Sequence, residues 1–93
     1  MKSFEIQYDQ TKNIANRRKH QGISLADAEL VFYDDNALTL LDRDHNEQRW
    51  IIMGKDALDR ILVVAYTYRD PNFVRIISAR LATKNERRNY LEV

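Results

Sequence analysis

The chain has 93 residues, no cysteine and a formal net charge of +1. A chain of this length forms one domain, over residues 1–93, with a modest core. The absence of cysteine excludes a disulfide framework and a zinc site built on thiolates. No apolar run approaches the roughly 20 residues that span a bilayer, and the first residues lack the apolar stretch of a signal peptide. We therefore expect a cytoplasmic protein with no metal, no cofactor and no membrane partner.

The charge is distributed unevenly along the chain. Residues 12–20 hold four basic residues and no acid, whereas residues 24–47 hold seven acidic residues against one base. Residues 48–93 hold nine basic and five acidic residues. Segregation of this kind predicts two basic surfaces and an acidic one. The alternative is a solvated exterior whose charges only form weak surface ion pairs.

The first half of the chain predicts one strand and two helices. Residues 4–8 alternate between apolar and polar side chains, which is typical of a short strand. Asp9 can cap a helix over about residues 10–20, which Gly22 ends. Ser24 can cap a second helix, because apolar residues recur at helical spacing between Leu25 and Phe32.

The second half predicts four strands and a closing helix. Apolar and β-branched residues predict strands over 37–41, 49–53, 60–68 and 73–80. Short connections between them favour an antiparallel meander. A helix over about 83–91 follows. The expected fold is an α+β domain with the helices packed on one face of the sheet.

The last strand and the helix after it concentrate positive charge. Arg75 and Arg80 lie near the two ends of the strand, and their odd spacing predicts that they lie on opposite faces. Thr83 and Glu86 have the spacing of a capping box, so Glu86 is expected to serve the cap rather than act as a base. Further basic side chains follow on the helix: Lys84, Arg87 and Arg88. Such a surface suits a polyanion such as RNA.

Four segments carry spaced motifs, at residues 8–24, 28–32, 42–49 and 75–90. Together they resemble the BrnT family of toxins from type II toxin–antitoxin modules. The last segment, R-I-I-S-A-R-x-A-x-x-x-E-R-x-x-Y, is the most specific. The chain departs from the family pattern at three positions. Tyr8 replaces a tryptophan, Gln21 is inserted between the Lys-His pair and the glycine, and Asn46 replaces a serine.

The resemblance implies both a fold and a function. It implies a RelE-like α+β toxin that inhibits growth as an endoribonuclease, cleaves RNA without a metal and is silenced by a BrnA-type antitoxin. The antitoxin complex is then expected to bind operator DNA. Two alternatives come from other classes: a nucleic-acid-binding module without catalysis, and a protein-interaction domain. Fold similarity alone does not decide between them.

Metal-free RNA cleavage needs a base, an acid, and cations for the charge on the phosphate oxygens. Arg80 and Arg60 are the predicted catalytic cations, because a guanidinium fork can hold phosphate with two hydrogen bonds. His45 is the predicted acid–base group, with Glu47 two residues away. An exposed loop histidine is the alternative for His45, and for His20 we favour helix capping over catalysis. The predicted RNA-binding residues are Arg75, Lys84, Arg87, Lys19 and Tyr90.

Overall fold

The computed structural model describes residues 5–42, 48–69 and 72–92. Within these ranges five strands form one sheet: β1 (Glu5–Tyr8), β2 (Leu38–Asp42), β3 (Arg49–Lys55), β4 (Ile61–Arg69) and β5 (Phe73–Leu81). Their order is β1-β5-β4-β3-β2. Strands β2 to β5 form an antiparallel meander, but β1 pairs parallel to β5, so the sheet is mixed. The expectation of a wholly antiparallel sheet is wrong because connection lengths constrain only consecutive strands, and β1 pairs with the last one.

The described part of the chain has three helical segments beside the sheet: α1 (Gln10–Lys19), a 3₁₀ helix (Asp27–Tyr33) and α2 (Lys84–Leu91). The predicted caps of both α-helices are confirmed. Asp9 accepts the backbone N–H of Thr11 at 2.7 Å, and Thr83 and Glu86 form a complete capping box. The segment predicted as a second α-helix is instead the 3₁₀ helix. Leu25, just before this helix, and Ala28 and Val31 within it repeat every third residue, which is the period of a 3₁₀ helix.

The chain leaves α1 through a left-handed turn. His20 is the C-cap, and Gln21 follows it with φ +56°. The backbone N–H of Gly22 donates to the carbonyl of Arg17 at 2.7 Å. This bond defines a Schellman motif, in which the left-handed position usually holds glycine. Here glutamine occupies it, so the inserted residue carries the backbone strain of the turn.

We expect Gln21→Gly to raise the free energy of unfolding by about 0.5–1 kcal/mol. The left-handed conformation costs a residue with a Cβ about 1–2 kcal/mol, which glycine avoids. Glycine also has more freedom in the unfolded chain, and this lowers the stabilisation by about 0.4–1 kcal/mol. Denaturant unfolding measures the difference. Gln21→Ala is the control and should give no gain, since alanine keeps the Cβ. Equal stability of the two variants would contradict the assignment of strain to this residue.

The core lies between one face of the sheet and residues 23–33. The chain segment contributes Ile23, Leu25, Ala28, Val31 and Phe32, and the sheet contributes Ile52, Leu62, Val64, Tyr66, Val74, Ile76 and Ala79. Tyr66 is 4% exposed and meets the Phe32 ring edge-on at 4.9 Å. In the part of the chain that the structure describes, no helix is long and apolar enough to cross a membrane.

Strand β5 carries a β-bulge at Ile77. Ala65 of β4 pairs with Ser78, and the next residue, Tyr66, pairs with Ile76. Ile77 therefore has no partner residue on β4. An extra residue of this kind shifts the alternation of side chains by one position in the rest of the strand.

The bulge brings Arg75 and Arg80 to the same face of the sheet. Arg75 pairs with Thr67 and Arg80 pairs with Val63, and these two partners lie four residues apart on β4. Directly paired residues share a face. The prediction of opposite faces is therefore wrong, because strict alternation does not hold across the inserted residue. Both arginines lie on the face turned away from the core.

The Asn16 side chain hydrogen-bonds to the edge of β5 beyond the point where β1 ends. The pairing of the two strands ends where Tyr8 meets Ile76. Further along, the Asn16 side chain donates to the Ala79 carbonyl at 2.8 Å and accepts the Ala79 N–H at 3.0 Å. It also donates to the Ile23 carbonyl at 2.9 Å. One buried carboxamide thus takes the place of a neighbouring strand and fixes α1 against β5.

Candidate active site

A shallow cleft of about 360 Å³ lies where the ends of α1 and β5 meet the start of α2. It is lined by Lys19, His20, Gln21, Arg80, Leu81 and Thr83. The bonds of Asn16 to Ala79 explain why these elements meet, since Ala79 precedes Arg80 on β5. Residues three and four positions apart lie on one side of a helix, so Lys19 and His20 follow Asn16 to that strand end.

Arg80 is held from the side of α2. Its Nη1 and Nη2 donate to the two carboxylate oxygens of Glu86 at 2.8 and 3.0 Å, and Nη1 also donates to the Leu81 carbonyl at 3.2 Å. The Glu86 carboxylate also accepts the Thr83 N–H at 2.8 Å within the capping box. Its bond to Arg80 lowers the pKa of Glu86 to about 2 and raises the pKa of Arg80. The pair therefore stays charged at neutral pH.

The Arg80 guanidinium keeps one pair of neighbouring N–H groups available, at Nε and Nη2, which we call the free fork. Both protons of Nη1 and one proton of Nη2 are engaged by Glu86 and Leu81. Among the described residues nothing accepts from Nε or from the second Nη2 proton. These two N–H groups lie side by side, in a geometry that binds two oxygens of a phosphate. Glu86 thus fixes the orientation of Arg80 without occupying the fork.

His20 lines the same cleft, and its imidazole has no hydrogen-bond partner within the described ranges. It caps α1 through its backbone N–H, which donates to the Asn16 carbonyl at 2.8 Å. The capping role predicted for His20 therefore uses the backbone and leaves the ring free. Partial burial, followed by the charges of Lys19 and Arg80, lowers the pKa of His20 below its ordinary value. At neutral pH the ring is mainly uncharged and can accept a proton.

Arg60 lies at a strand end, as predicted, but it does not line the cleft. Its Nε donates to Asp56 at 2.8 Å, and its Nη2 donates to Asp27 at 3.1 Å. The Asp56 side chain is fully buried. The hydrogen bond to Asp56 is the main reason that the pKa of Arg60 is raised. In this arrangement Arg60 ties the β3–β4 connection to the 3₁₀ helix.

Tyr90 and Arg75 differ from the open positions expected of RNA-binding residues. Tyr90 is 5% exposed, and its hydroxyl donates to Asp34. Burial and this carboxylate raise the pKa of Tyr90 to about 12. Arg75 is half-buried, and its Nε has no hydrogen-bond partner among the described residues. Tyr90 therefore fastens α2 to the turn before β2, while Arg75 keeps an unsatisfied donor on the outer face.

The other predicted RNA-binding residues are exposed. Lys84 and Arg87 stand on α2 beside a shallow groove of about 650 Å³, and Lys84 follows Thr83 of the cleft directly. Lys19 lines the cleft itself. The predicted acid–base residues His45 and Glu47 lie outside the described residues. The structure therefore brings Lys19 and Arg80 together, adds His20, and places Lys84 next to them.

Comparisons with known proteins agree with this picture. Residues 8–86 match the family model of the ribonuclease toxin BrnT of type II toxin–antitoxin systems. The crystal structure of the Brucella abortus ribonuclease toxin BrnT matches with a TM-score of 0.70 and 22% identity, over 87% of this chain and 99% of that one. At this identity the likeness shows the fold. The search of curated proteins found no significant match. Because the family model covers most of its length, the chain belongs to the BrnT family of ribonuclease toxins of type II toxin–antitoxin systems.

Proposed function

We propose that this protein is an endoribonuclease with a RelE-like fold, and that it cleaves RNA in the cleft between α1, β5 and α2 without a metal. The observation that carries this proposal is the free fork of Arg80, which Glu86 orients beside Lys19. A fixed cation next to a shallow, open surface suits a phosphodiester of a flexible strand. A small ligand would instead call for a deep pocket.

The proposed chemistry uses the 2′-hydroxyl of the substrate as the nucleophile on the adjacent phosphate. Arg80 binds the phosphate oxygens, where negative charge grows in the transition state, and Lys19 adds a second cation. His45 and Glu47 stay predictions as an acid–base pair. A catalytic role for Arg60 also stays a prediction, and it would require release from Asp27 and Asp56.

Incubation of the purified protein with single-stranded RNA and excess EDTA tests the proposed function. We expect cleavage within the strand, and a 2′-deoxy substitution at the cleavage position should block it. Shortening from one end only would contradict an endoribonuclease. Cleavage that stops with EDTA and returns with added metal would contradict the metal-free mechanism.

The proposed RNA path continues from the cleft to Lys84 and Arg87, with Arg75 on the outer face of β5. Three to five phosphate contacts predict a log–log salt slope of about −2 to −4 on single-stranded RNA. Lys84→Ala should reduce the magnitude of this slope by roughly 1. Filter binding at several salt concentrations measures it. Arg18→Ala is the matched control, since Arg18 is exposed and lines a groove other than the cleft.

The family implies an antitoxin partner, and we propose that it is a BrnA-type protein that covers the cleft. Basic residues at the cleft would meet acidic or backbone groups of the partner. We also propose that the complex binds operator DNA. Hydrogen exchange with and without the antitoxin should show protection in residues 75–88. Protection confined to the acidic region near Asp34 would mean that inhibition does not occlude the cleft.

A further inference from the structure

We infer that the imidazole of His20 accepts the proton of the attacking 2′-hydroxyl of the RNA substrate. This inference rests on the proposed function and adds a residue to it. His20 belongs to one of the sequence motifs that resemble the family, and the structure places it in the cleft.

The imidazole of His20 lies beside the proposed phosphate site. His20 shares the cleft wall with Arg80, whose free fork is the proposed phosphate site. In RNA the 2′-hydroxyl is on the ribose carbon next to the one that carries the 3′-oxygen of that phosphate, so a base must lie beside the phosphate ligand. The Schellman turn and the backbone bond to Asn16 hold His20 at this place.

The imidazole of His20 is free to accept a proton. The helix is capped by the backbone of His20, so the imidazole carries no structural hydrogen bond within the described ranges. A histidine kept only for packing would normally have a partner for its buried nitrogen atoms. Here the ring lies at the mouth of a cleft and keeps its nitrogen atoms available for a substrate.

The surroundings of the His20 ring favour its neutral form. Lys19 on α1 and Arg80 on β5 both disfavour the imidazolium, and Glu86 on α2 is bound to Arg80. Partial burial, followed by the charges of Lys19 and Arg80, lowers the pKa of His20 below its ordinary value. A neutral imidazole can act as a base at cellular pH.

The proposed step balances without a further reactant. The proton of O2′ moves to an imidazole nitrogen while O2′ forms a bond to phosphorus. The bond between phosphorus and O5′ breaks, and the leaving oxygen takes a proton from solvent. The imidazolium returns its proton to solvent afterwards. The products are a 2′,3′-cyclic phosphate and a 5′-hydroxyl end.

The test is the pH dependence of RNA cleavage by the wild-type protein and by His20→Asn. The wild-type rate should fall about tenfold per pH unit below the pKa of His20, with the inflection below 6.5. His20→Asn should lower the rate about 10²–10⁴-fold and lose this acid limb, while RNA affinity stays unchanged. Arg18→Gln is the control on α1, since Arg18 lines a different groove, and it should keep the wild-type profile.

The outcomes separate this inference from the proposed function. If the wild-type protein cleaves RNA and His20→Asn keeps the wild-type rate or the acid limb, the role of His20 is overturned and the proposed function is not affected. Absence of RNA cleavage by the wild-type protein would overturn the proposed function as well. If His20→Asn does not fold, His20→Gln gives the same comparison, because His45 would also produce an acid limb in the wild-type protein. A rate independent of pH below 6.5, or a product without a cyclic phosphate, would overturn the inference.

Discussion

Replacing Arg80 with alanine should lower the rate of RNA cleavage by about 10²–10³-fold, because it removes preorganised donors from the phosphate site. The fold should survive the change. The side chains of Arg80 and Glu86 are 41% and 32% exposed, so the ion pair contributes at most about 1 kcal/mol. Glu86 also keeps its bond to the Thr83 N–H, so the cap of α2 remains. Cleavage rates, together with circular dichroism and growth assays on the same variant, measure the effect.

Glu86→Gln is the matched control for this prediction. Glutamine can still complete a capping box, but it loses the charge that orients the guanidinium. We therefore expect a smaller loss of activity than in Arg80→Ala. A folded Arg80→Ala variant with full activity and toxicity would contradict the proposed site. A complete loss in Glu86→Gln with RNA binding intact would instead identify Glu86 as more than a positioning residue.

Local signals in the sequence predicted most of the elements, and they failed where long-range contacts decide. The caps at Asp9 and Thr83 were predictable because capping involves residues two or three positions apart. The bulge was not, because Ile77 is as β-branched and apolar as the residues around it. The strand β1 has an alternating pattern, but a pattern carries no information about which strand it pairs with.

The sequence predicted only part of the candidate site, because some of its contacts also join residues far apart in the chain. Arg80 and Lys19 were identified from charge and from motifs. The acidic partner of Arg60 at Asp27 lies 33 residues away in sequence, so its ion pair could not be foreseen. His20 was interpreted as a cap because it ends a basic helix. A signal existed in the insertion of Gln21, which needs a special turn directly after the histidine.

Asn16→Ala should cost about 3–5 kcal/mol in the free energy of unfolding, a large effect for one polar side chain. Asn16 is 6% exposed, and its carboxamide makes three hydrogen bonds to buried backbone groups. Alanine would leave these groups without partners, and each buried unsatisfied group costs about 1–3 kcal/mol. The loss falls at the junction of α1 and β5, so any folded fraction should also misplace Lys19 and His20 relative to Arg80.

Denaturant unfolding of two further variants completes the test of Asn16. Asn13→Ala is the matched control on the same helix, because the Asn13 side chain accepts one backbone bond, from the Leu25 N–H at 2.7 Å. It should cost only about 1 kcal/mol. Asn16→Asp keeps the acceptor for the Ala79 N–H but turns its other oxygen toward two carbonyls, so it should be nearly as damaging as alanine. Similar losses in Asn16→Ala and Asn13→Ala would show that the carboxamide does not replace a neighbouring strand at the edge of β5.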